Sequence, residues 1–534
     1  MHPPFSRNFF DLVREQAIRV PQAVALVCEQ GRFGYQDLAD RAARAAGALQ
    51  AAGIGRGDRV GLLLGNRVEW IDLCLGASAL GAVTVPMSTW STRAELRVLL
   101  ADAGLSVLVT GLFGDRNFED DLLALADEAG MPPPQRCFLI NGASVQFPDY
   151  ATVVAAAAPL APLPPGAGPC AGDDALILYT SGSTSAPKAV PLRQFALIEN
   201  GFNIGERQGL TETDKVLLAS PLFWAFGGAN ALPATFSHGA TLVLMEKFDA
   251  AIALDVIERE ACTSIYTLPA MTAALTRHAN YRKAALASLR TGVMIGSAEE
   301  FLYAVEVLGA GSLCNIYGAT ETCGNCCVTW HHWPVARRSL CQGPPLPGQL
   351  IRFVDESTGE VVPDGTPGLA EVRGYTTLGY VGASALQNEK TFTADGYYRT
   401  GDMGKFNAEG DFVFVGRVSE MIKRAGINVS PAEVEAVLKR HPSVLDVAVV
   451  GVPDAARGER IFAYVVPVRA EDFDAAELLR HCAAESSKYK VPDHIEALVA
   501  LPLTATGKLQ RRELQKTAVE QARAMVAAVK ACAA

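Results

Sequence analysis

Apolar positions along the first 150 residues recur in two alternating rhythms. From Leu38 to Ala52 they fall at helical spacing, Arg59 to Leu64 forms an almost unbroken apolar run, and Trp70 to Leu80 is apolar over a helical length. Ala82 to Pro86 predicts a short strand, Arg93 to Ala103 a helix, and Ser106 to Val109 another strand. Runs of strand length alternating with runs of helix length predict a largely parallel sheet flanked by helices. The alanine-rich stretch 151–171, broken by prolines, reads as a linker. Beyond it the rhythm resumes, with strands predicted at Lys215 to Ala219, Ala240 to Leu244, Ser264 to Thr267 and Thr291 to Ile295.

From about residue 345 the texture changes to short strands separated by Gly/Pro turns, such as Pro363 to Gly368 and Asp395-Gly396. That pattern predicts a β-rich section, a small barrel, spanning about 345–417. Past Arg417 a mixed order follows: helix Pro431 to Arg440, strands Val444 to Val450 and Ile461 to Val468, helix Ala475 to Ser486, and a helical tail from Glu513 to Ala531. The expectation is therefore α/β, with a large domain over residues 1–417 and a smaller α+β domain over 418–534, a usual domain size. No internal repeat is visible.

Composition narrows the function. The 534 residues are 49% hydrophobic and 19% charged, which describes a packed globular chain. A formal net charge of −10 argues against a nucleic-acid surface, so any anionic substrate must be held by local cations and backbone donors. The N-terminus has no basic stretch followed by an apolar one, and no uninterrupted apolar run is long enough to span a membrane. Twelve cysteines in such a chain read as reduced thiols, and the cytoplasm is the expected compartment. Cys323, Cys326, Cys327, His331, His332 and Cys341 resemble a zinc cluster at first sight. Adjacent Cys-Cys and His-His pairs point apart on a strand or turn, so these residues read as apolar lining instead.

The stretch YTSGSTSAPKAV at 179–190 sets five small hydroxyl side chains and a glycine before Lys188. Hydroxyls, backbone N–H groups and a lysine suit phosphate, although a polar turn has the same composition. The preceding apolar run Ala175 to Tyr179 favours phosphate, because a buried strand opening into a loop is a common carrier of such a site. The spacing is not that of a Walker A loop.

Four further motifs follow in order: Asn315-Ile316-Tyr317-Gly318-Ala319-Thr320-Glu321, Tyr398-Arg399-Thr400-Gly401-Asp402, Gly416 to Lys423, and Pro502 to Lys508. Together with 179–188 they resemble the adenylate-forming superfamily of acyl-CoA synthetases, amino-acid adenylation domains and luciferases. The resemblance runs from about Phe33 to Leu514. It implies a large domain of helix-flanked sheets with a small β-barrel, followed by a mobile C-terminal lid. It also implies ATP, Mg²⁺ and coenzyme A, a carboxylate joined to the α-phosphate with loss of pyrophosphate, and a thiol displacing AMP.

The resemblance assigns roles residue by residue. Thr180, Ser181, Gly182, Ser183, Thr184 and Lys188 would hold the leaving phosphates, and Glu321, with Thr184, would hold Mg²⁺ beside Thr320. A hard cation suits a carboxylate and phosphate oxygens. Asn315 would bond the adenine edge, Tyr317 would stack on it, Asp402 would take the ribose hydroxyls, and Arg417 would add a second ribose or phosphate contact. Lys508 would reach the substrate carboxylate and α-phosphate, where charge accumulates. Lys423 and Asn428 would hold the adenylate's phosphate in the second step, Ala425 and Gly426 would floor the thiol channel, and Ser419 would be the hinge. Ser185 and Ala189 stand where the family commonly has glycine, which predicts a less mobile phosphate loop. Ser419 replaces the usual Asp or Lys.

The acid pocket would be walled by Trp224, Gly228, Gly296, Ser297, Ala298, Gly318, Ala319 and Cys323. Amino-acid-activating relatives carry an Asp at the Trp224 position, so an α-amino acid is not expected. A hydrophobic, uncharged carboxylic acid is, whether aliphatic, alicyclic or aromatic. With only a helical tail after Lys508, the acceptor is expected to be a separate molecule: coenzyme A, or alternatively a free-standing carrier protein. A third alternative is a degenerate acyl- or nucleotide-binding module. No nucleic-acid partner is expected, and monomer and homodimer both stay open.

Overall fold

The alternation of short apolar runs is realised as two helix-flanked sheets. The computed structural model describes residues 2–129, 136–141, 144, 146–161, 168–180, 187–424, 427–454, 457–486, 488–503 and 509–533, leaving aside the side chains of 128–129, 419, 427–428 and 526–533. These divide into two compact units. One comprises Met1–Arg352, Glu371–Thr400 and Asn407–Val413; the other comprises Phe353–Ala370, Gly401–Phe406 and Phe414–Ala534.

In the first unit, among the described residues, an eight-stranded sheet runs Cys327–Val328, Ser312–Tyr317, Thr291–Met294, Ser264–Thr267, Lys215–Leu218, Thr241–Leu244, Val24–Cys28, Gly31–Gly34. Its six inner strands are mutually parallel and only the two edge pairings are antiparallel. Strands buried on both faces read as continuous hydrophobic runs, which is why these segments showed no alternation. The second sheet places Val107–Phe113, Arg59–Leu63, Val83–Pro86, Asp174–Thr180 and Lys188–Arg193 side by side, with Cys137–Ile140 also pairing to Val107–Phe113.

Helix ends follow local chemistry. Helix Arg93–Ala103 starts at a reciprocal Thr92/Glu95 capping box, and Gly104 leaves it with φ +58°. The expected linker is corrected in its first part. Asp149 caps a helix Tyr150–Ala156 by accepting from Thr152 N, and the chain beyond it lies on helix Tyr35–Ala51, where Leu160 N donates to Ala43 O at 2.9 Å. Alanine is the best helix former, and only the prolines further on interrupt it.

The β-rich section pairs as Leu350–Val354, Gly368–Arg373, Tyr398–Phe406, Phe412–Arg417 in that order. In the second unit, Ile427–Val429, Ile422–Arg424, Gly458–Pro467 and Val444–Asp454 form an antiparallel sheet, to which His494–Ala497 adds in parallel. Helices Pro431–Lys439 and Ala475–Glu485 bury Val434, Leu438, Leu478 and Cys482 in one core cluster with this sheet, and helix Arg511–Ala533 buries Leu514 and Ala518 in another. Among the described residues no helix is long and apolar enough to cross a membrane.

Candidate active site

The hydroxyl-rich stretch joins neighbouring antiparallel strands. Asp174–Thr180 pairs with Lys188–Arg193 in a register that sets Thr180 opposite Lys188. Ser181, Gly182, Ser183, Thr184 and Ser185 lie outside the described residues. Ala189 is corrected: it belongs to the strand rather than the loop, opposite Tyr179, with its N–H donating to Ser384 Oγ at 3.1 Å. A side chain there therefore bears on strand packing, not on loop mobility. The base of the hairpin is tied down by Asp102, which accepts from Tyr179 Oη at 2.8 Å and from Ala383 N at 2.7 Å.

The second motif leaves the end of strand Ser312–Tyr317 through a tight turn. A Cβ on Gly318 would come 2.3 Å from Gly324 O and 2.5 Å from Asn325 Cα, so only glycine fits this backbone contact. The turn returns through Cys323 at φ +55° and Gly324 at φ +91°. Its carbonyls are held by the buried Asn200 amide, which donates to Cys323 O at 3.1 Å and Asn325 O at 2.8 Å. Thr320–Thr322 forms a single helical turn that presents Glu321, only 6% exposed.

Glu321 Oε1 accepts from Tyr380 Oη at 2.7 Å. Lys188 Nζ stands 3.4 Å from the same phenol oxygen and 4.9 Å from the ring centroid. Burial first, and then the neighbouring Glu321 carboxylate, push the Tyr380 phenol upward, so it stays a proton donor. Glu321 Oε2 has no partner among the described residues. A buried carboxylate with one committed and one open oxygen, next to Thr320, is a donor set that fits Mg²⁺ completed by phosphate oxygens.

Tyr317 stacks on Phe412 with centroids 4.1 Å apart and planes 15° apart, so a base would have to use its other face. The buried Asn315 amide already donates to Arg338 O at 3.2 Å. Trp224 precedes a π-helical segment, Ala225–Ala231, and sits edge-on to Trp90 at 4.9 Å and Phe223 at 5.9 Å. Trp90, 38% exposed, closes the trio against Phe223 at 5.6 Å. Gly228 is pressed to 2.4 Å of Leu222 O at its Cβ position. Ser297 caps helix Ala298–Leu308 by accepting from Glu300 N, so its hydroxyl is committed there, next to Gly296. Ala319 precedes the Glu321 turn, and Cys323 is buried within it.

In the second unit Arg417 Nε donates to the buried Asp402 carboxylate at 2.9 Å. Lys423 and Asn428 are direct cross-strand partners. Ala425, Gly426 and Lys508 lie outside the described residues, as do the side chains of Ser419 and Asn428. Cys323, Cys326, Cys327 and Cys341 are all buried, and desolvation pushes up the thiols of Cys327, of Cys323, to about 12, and of Cys341, to about 11.

Sequence reasoning missed Tyr380, Asp102, Asn200 and Trp90. Tyr380 sits in the stretch Gly374 to Gly382, whose glycines hinted at close backbone packing but not at a carboxylate partner 59 positions away.

Residues 13–381 match the AMP-binding enzyme family, and residues 433–508 match the C-terminal domain of those enzymes. The chain belongs to the AMP-binding enzymes. Among relatives of this AMP-binding enzyme is the sulfoacetate–CoA ligase of Cupriavidus necator, 33% identical over 465 residues, covering 87% of this chain and 88% of the relative. The indoleacetate–CoA ligase of Aromatoleum aromaticum is 32% identical over 517 residues, 94% of this chain and 97% of the other. The ATP-bound crystal structure of MatB from Rhodopseudomonas palustris superposes with a TM-score of 0.84 at 27% identity, covering 96% of this chain and 99% of that one.

Proposed function

We infer that this AMP-forming acid–CoA ligase activates an uncharged, hydrophobic carboxylic acid with ATP and delivers the acyl group to coenzyme A. In the first step a carboxylate oxygen attacks the α-phosphorus and pyrophosphate leaves. In the second the coenzyme A sulfur attacks the acyl carbon, AMP leaves, and the thiol proton is lost to solvent. The observation that carries the reading is the constellation of the half-buried Lys188 with the buried Tyr380 and Glu321 beside the hydroxyl-rich hairpin.

In this division of labour Lys188, with Thr180 and the hydroxyls from Ser181 to Thr184, binds the leaving phosphates. Glu321, with Thr184, holds the metal, which when bound neutralises charge on the phosphate oxygens. Tyr317 stacks on adenine beside Asn315, and Asp402, positioned by Arg417, accepts from the ribose. Lys508 stabilises charge developing on the α-phosphate, whereas Lys423, Asn428, Ala425 and Gly426 serve thioester formation. The lid is assigned to residues 418–534, with Ser419 as hinge, and the compartment to the cytoplasm.

The two named relatives are ligases of a sulfonated acid and an indole acid at nearly equal identity, so membership alone leaves the acid open. The aromatic trio of Trp90, Phe223 and Trp224 favours a flat or bulky apolar acyl group. The test presents purified enzyme with MgATP, coenzyme A and panels of fatty, alicyclic, aryl and short charged acids, with acyl-CoA read by mass spectrometry. Turnover confined to short charged acids overturns the pocket reading. Acyl-AMP that accumulates and is not discharged by coenzyme A moves the acceptor role to a separate carrier protein. ATP binding without turnover of any acid returns the chain to a binding module.

A further inference from the structure

Lys188 and Glu321 are the cation and the anion of this site, yet among the described residues neither pairs with an opposite charge. They meet only through one phenol. Tyr380 Oη is 2.7 Å from Glu321 Oε1 and 3.4 Å from Lys188 Nζ, with the ammonium also over the ring. The order of protons along this chain is forced. A carboxylate can only accept and an ammonium only donate, while a phenol has one proton and spare lone pairs. Tyr380 therefore gives its proton to Glu321 and turns a lone pair to Lys188. The Thr391 and Tyr398 side chains also face the phenol, and the ring is buried edge-on to Phe392 at 5.7 Å, so it is held in place.

We propose that Tyr380 is a positioning residue that keeps Lys188 and Glu321 from pairing with each other, holding the ammonium for phosphate and the carboxylate for the metal. A half-buried lysine and a buried glutamate this close gain by direct contact once nothing stands between them. Such a pair would withdraw both groups from the nucleotide. Tyr380 satisfies each of them by one hydrogen bond and lets neither be neutralised. The inference rests on the reading of Glu321 as the metal ligand.

Tyr380→Phe removes only the spacer oxygen and keeps every ring contact, so its melting temperature stays near that of the parent. Binding of Mn²⁺ to the enzyme–ATP complex, followed by electron paramagnetic resonance, is the readout, with Glu321→Gln as reference. The expected loss in Tyr380→Phe is about 10–100-fold in Mn²⁺ affinity, the range for losing a partner of a ligating carboxylate. Lys188→Met added to Tyr380→Phe should cost less than Lys188→Met alone, because the ammonium that traps Glu321 is gone. A crystal structure of Tyr380→Phe should show Lys188 Nζ within ion-pair distance of Glu321. Full Mn²⁺ affinity in Tyr380→Phe with a loss in Glu321→Gln overturns the spacer role. A loss that is additive with Lys188→Met, with the two charges still apart in the crystal, overturns it as well. Unchanged Mn²⁺ affinity in Glu321→Gln defeats instead the metal-ligand reading on which the proposal stands.

Discussion

Gly318→Ala adds one methyl group next to the Glu321 turn, and the structure says where it must go. The new Cβ would stand 2.3 Å from Gly324 O, 2.5 Å from Asn325 Cα and 3.0 Å from Cys326 N, all backbone atoms. No side chain can swing aside, so the two arms of the turn must separate by about 1 Å to restore van der Waals contact. Overpacking of this kind costs about 1–3 kcal/mol. The functional cost is larger, because Glu321 rides on the same turn. A displacement of about 1 Å in a positioned group lowers turnover by about 100-fold. Acid-dependent pyrophosphate release should therefore fall about 100-fold, while the melting curve shifts by only a few degrees. Gly311→Ala is the control: a Cβ there meets nothing within 4 Å, and both activity and melting should match the parent. If Gly318→Ala keeps turnover within about threefold of the parent, the turn does not set the geometry of Glu321 and the steric argument fails.

Trp224→Ala removes an indole that is edge-on to Trp90 and Phe223, so preference should move toward bulkier acids with little change in the KM for ATP; an unchanged ranking of acids places Trp224 outside the pocket. Asp214 is drawn up by burial but held below the ordinary aspartate value of 3.8 by Arg290 at 2.6 Å and Thr263 at 2.6 Å. A depressed carboxylate stabilises the fold above 3.8 and loses that contribution as pH falls through its lower folded value, so Asp214→Asn should cost about 1–3 kcal/mol at neutral pH. The gap between Asp214→Asn and parent in urea titrations should narrow below pH 3.8, and a gap that widens on acidification contradicts the assignment. Lys508→Ala should abolish acid-dependent pyrophosphate release yet convert supplied acyl-AMP and coenzyme A, whereas Gly426→Leu should do the reverse; equal loss of both half-reactions refutes the division between the steps.

The elements legible in the sequence are those whose cause is local. Helix Arg93–Ala103 was readable to the residue because its ends carry local signals, Thr92 and Glu95 at the start and Gly104 at the stop. The strands Ser264–Thr267 and Thr291–Met294 were readable because burial on both faces leaves an unbroken apolar run. The hairpin Val24–Cys28/Gly31–Gly34 went unread, its strands being short and the first of them gaining its parallel partner only from the distant strand Thr241–Leu244. The site divides the same way. Motifs announced Lys188 and Glu321, because phosphate and metal chemistry restrict the residue types. They could not announce the group between these two, because Tyr380 lies 192 positions from one and 59 from the other. Nothing in local periodicity distinguishes a tyrosine that packs in a core from one that separates two charges. Only the three-dimensional register of the hairpin, the Thr320–Thr322 turn and the stretch after Gly379 brings the three side chains to one oxygen. The least legible residue is thus the one whose role is wholly relational, and for the same reason the removal of a single oxygen from it tests the arrangement most sharply.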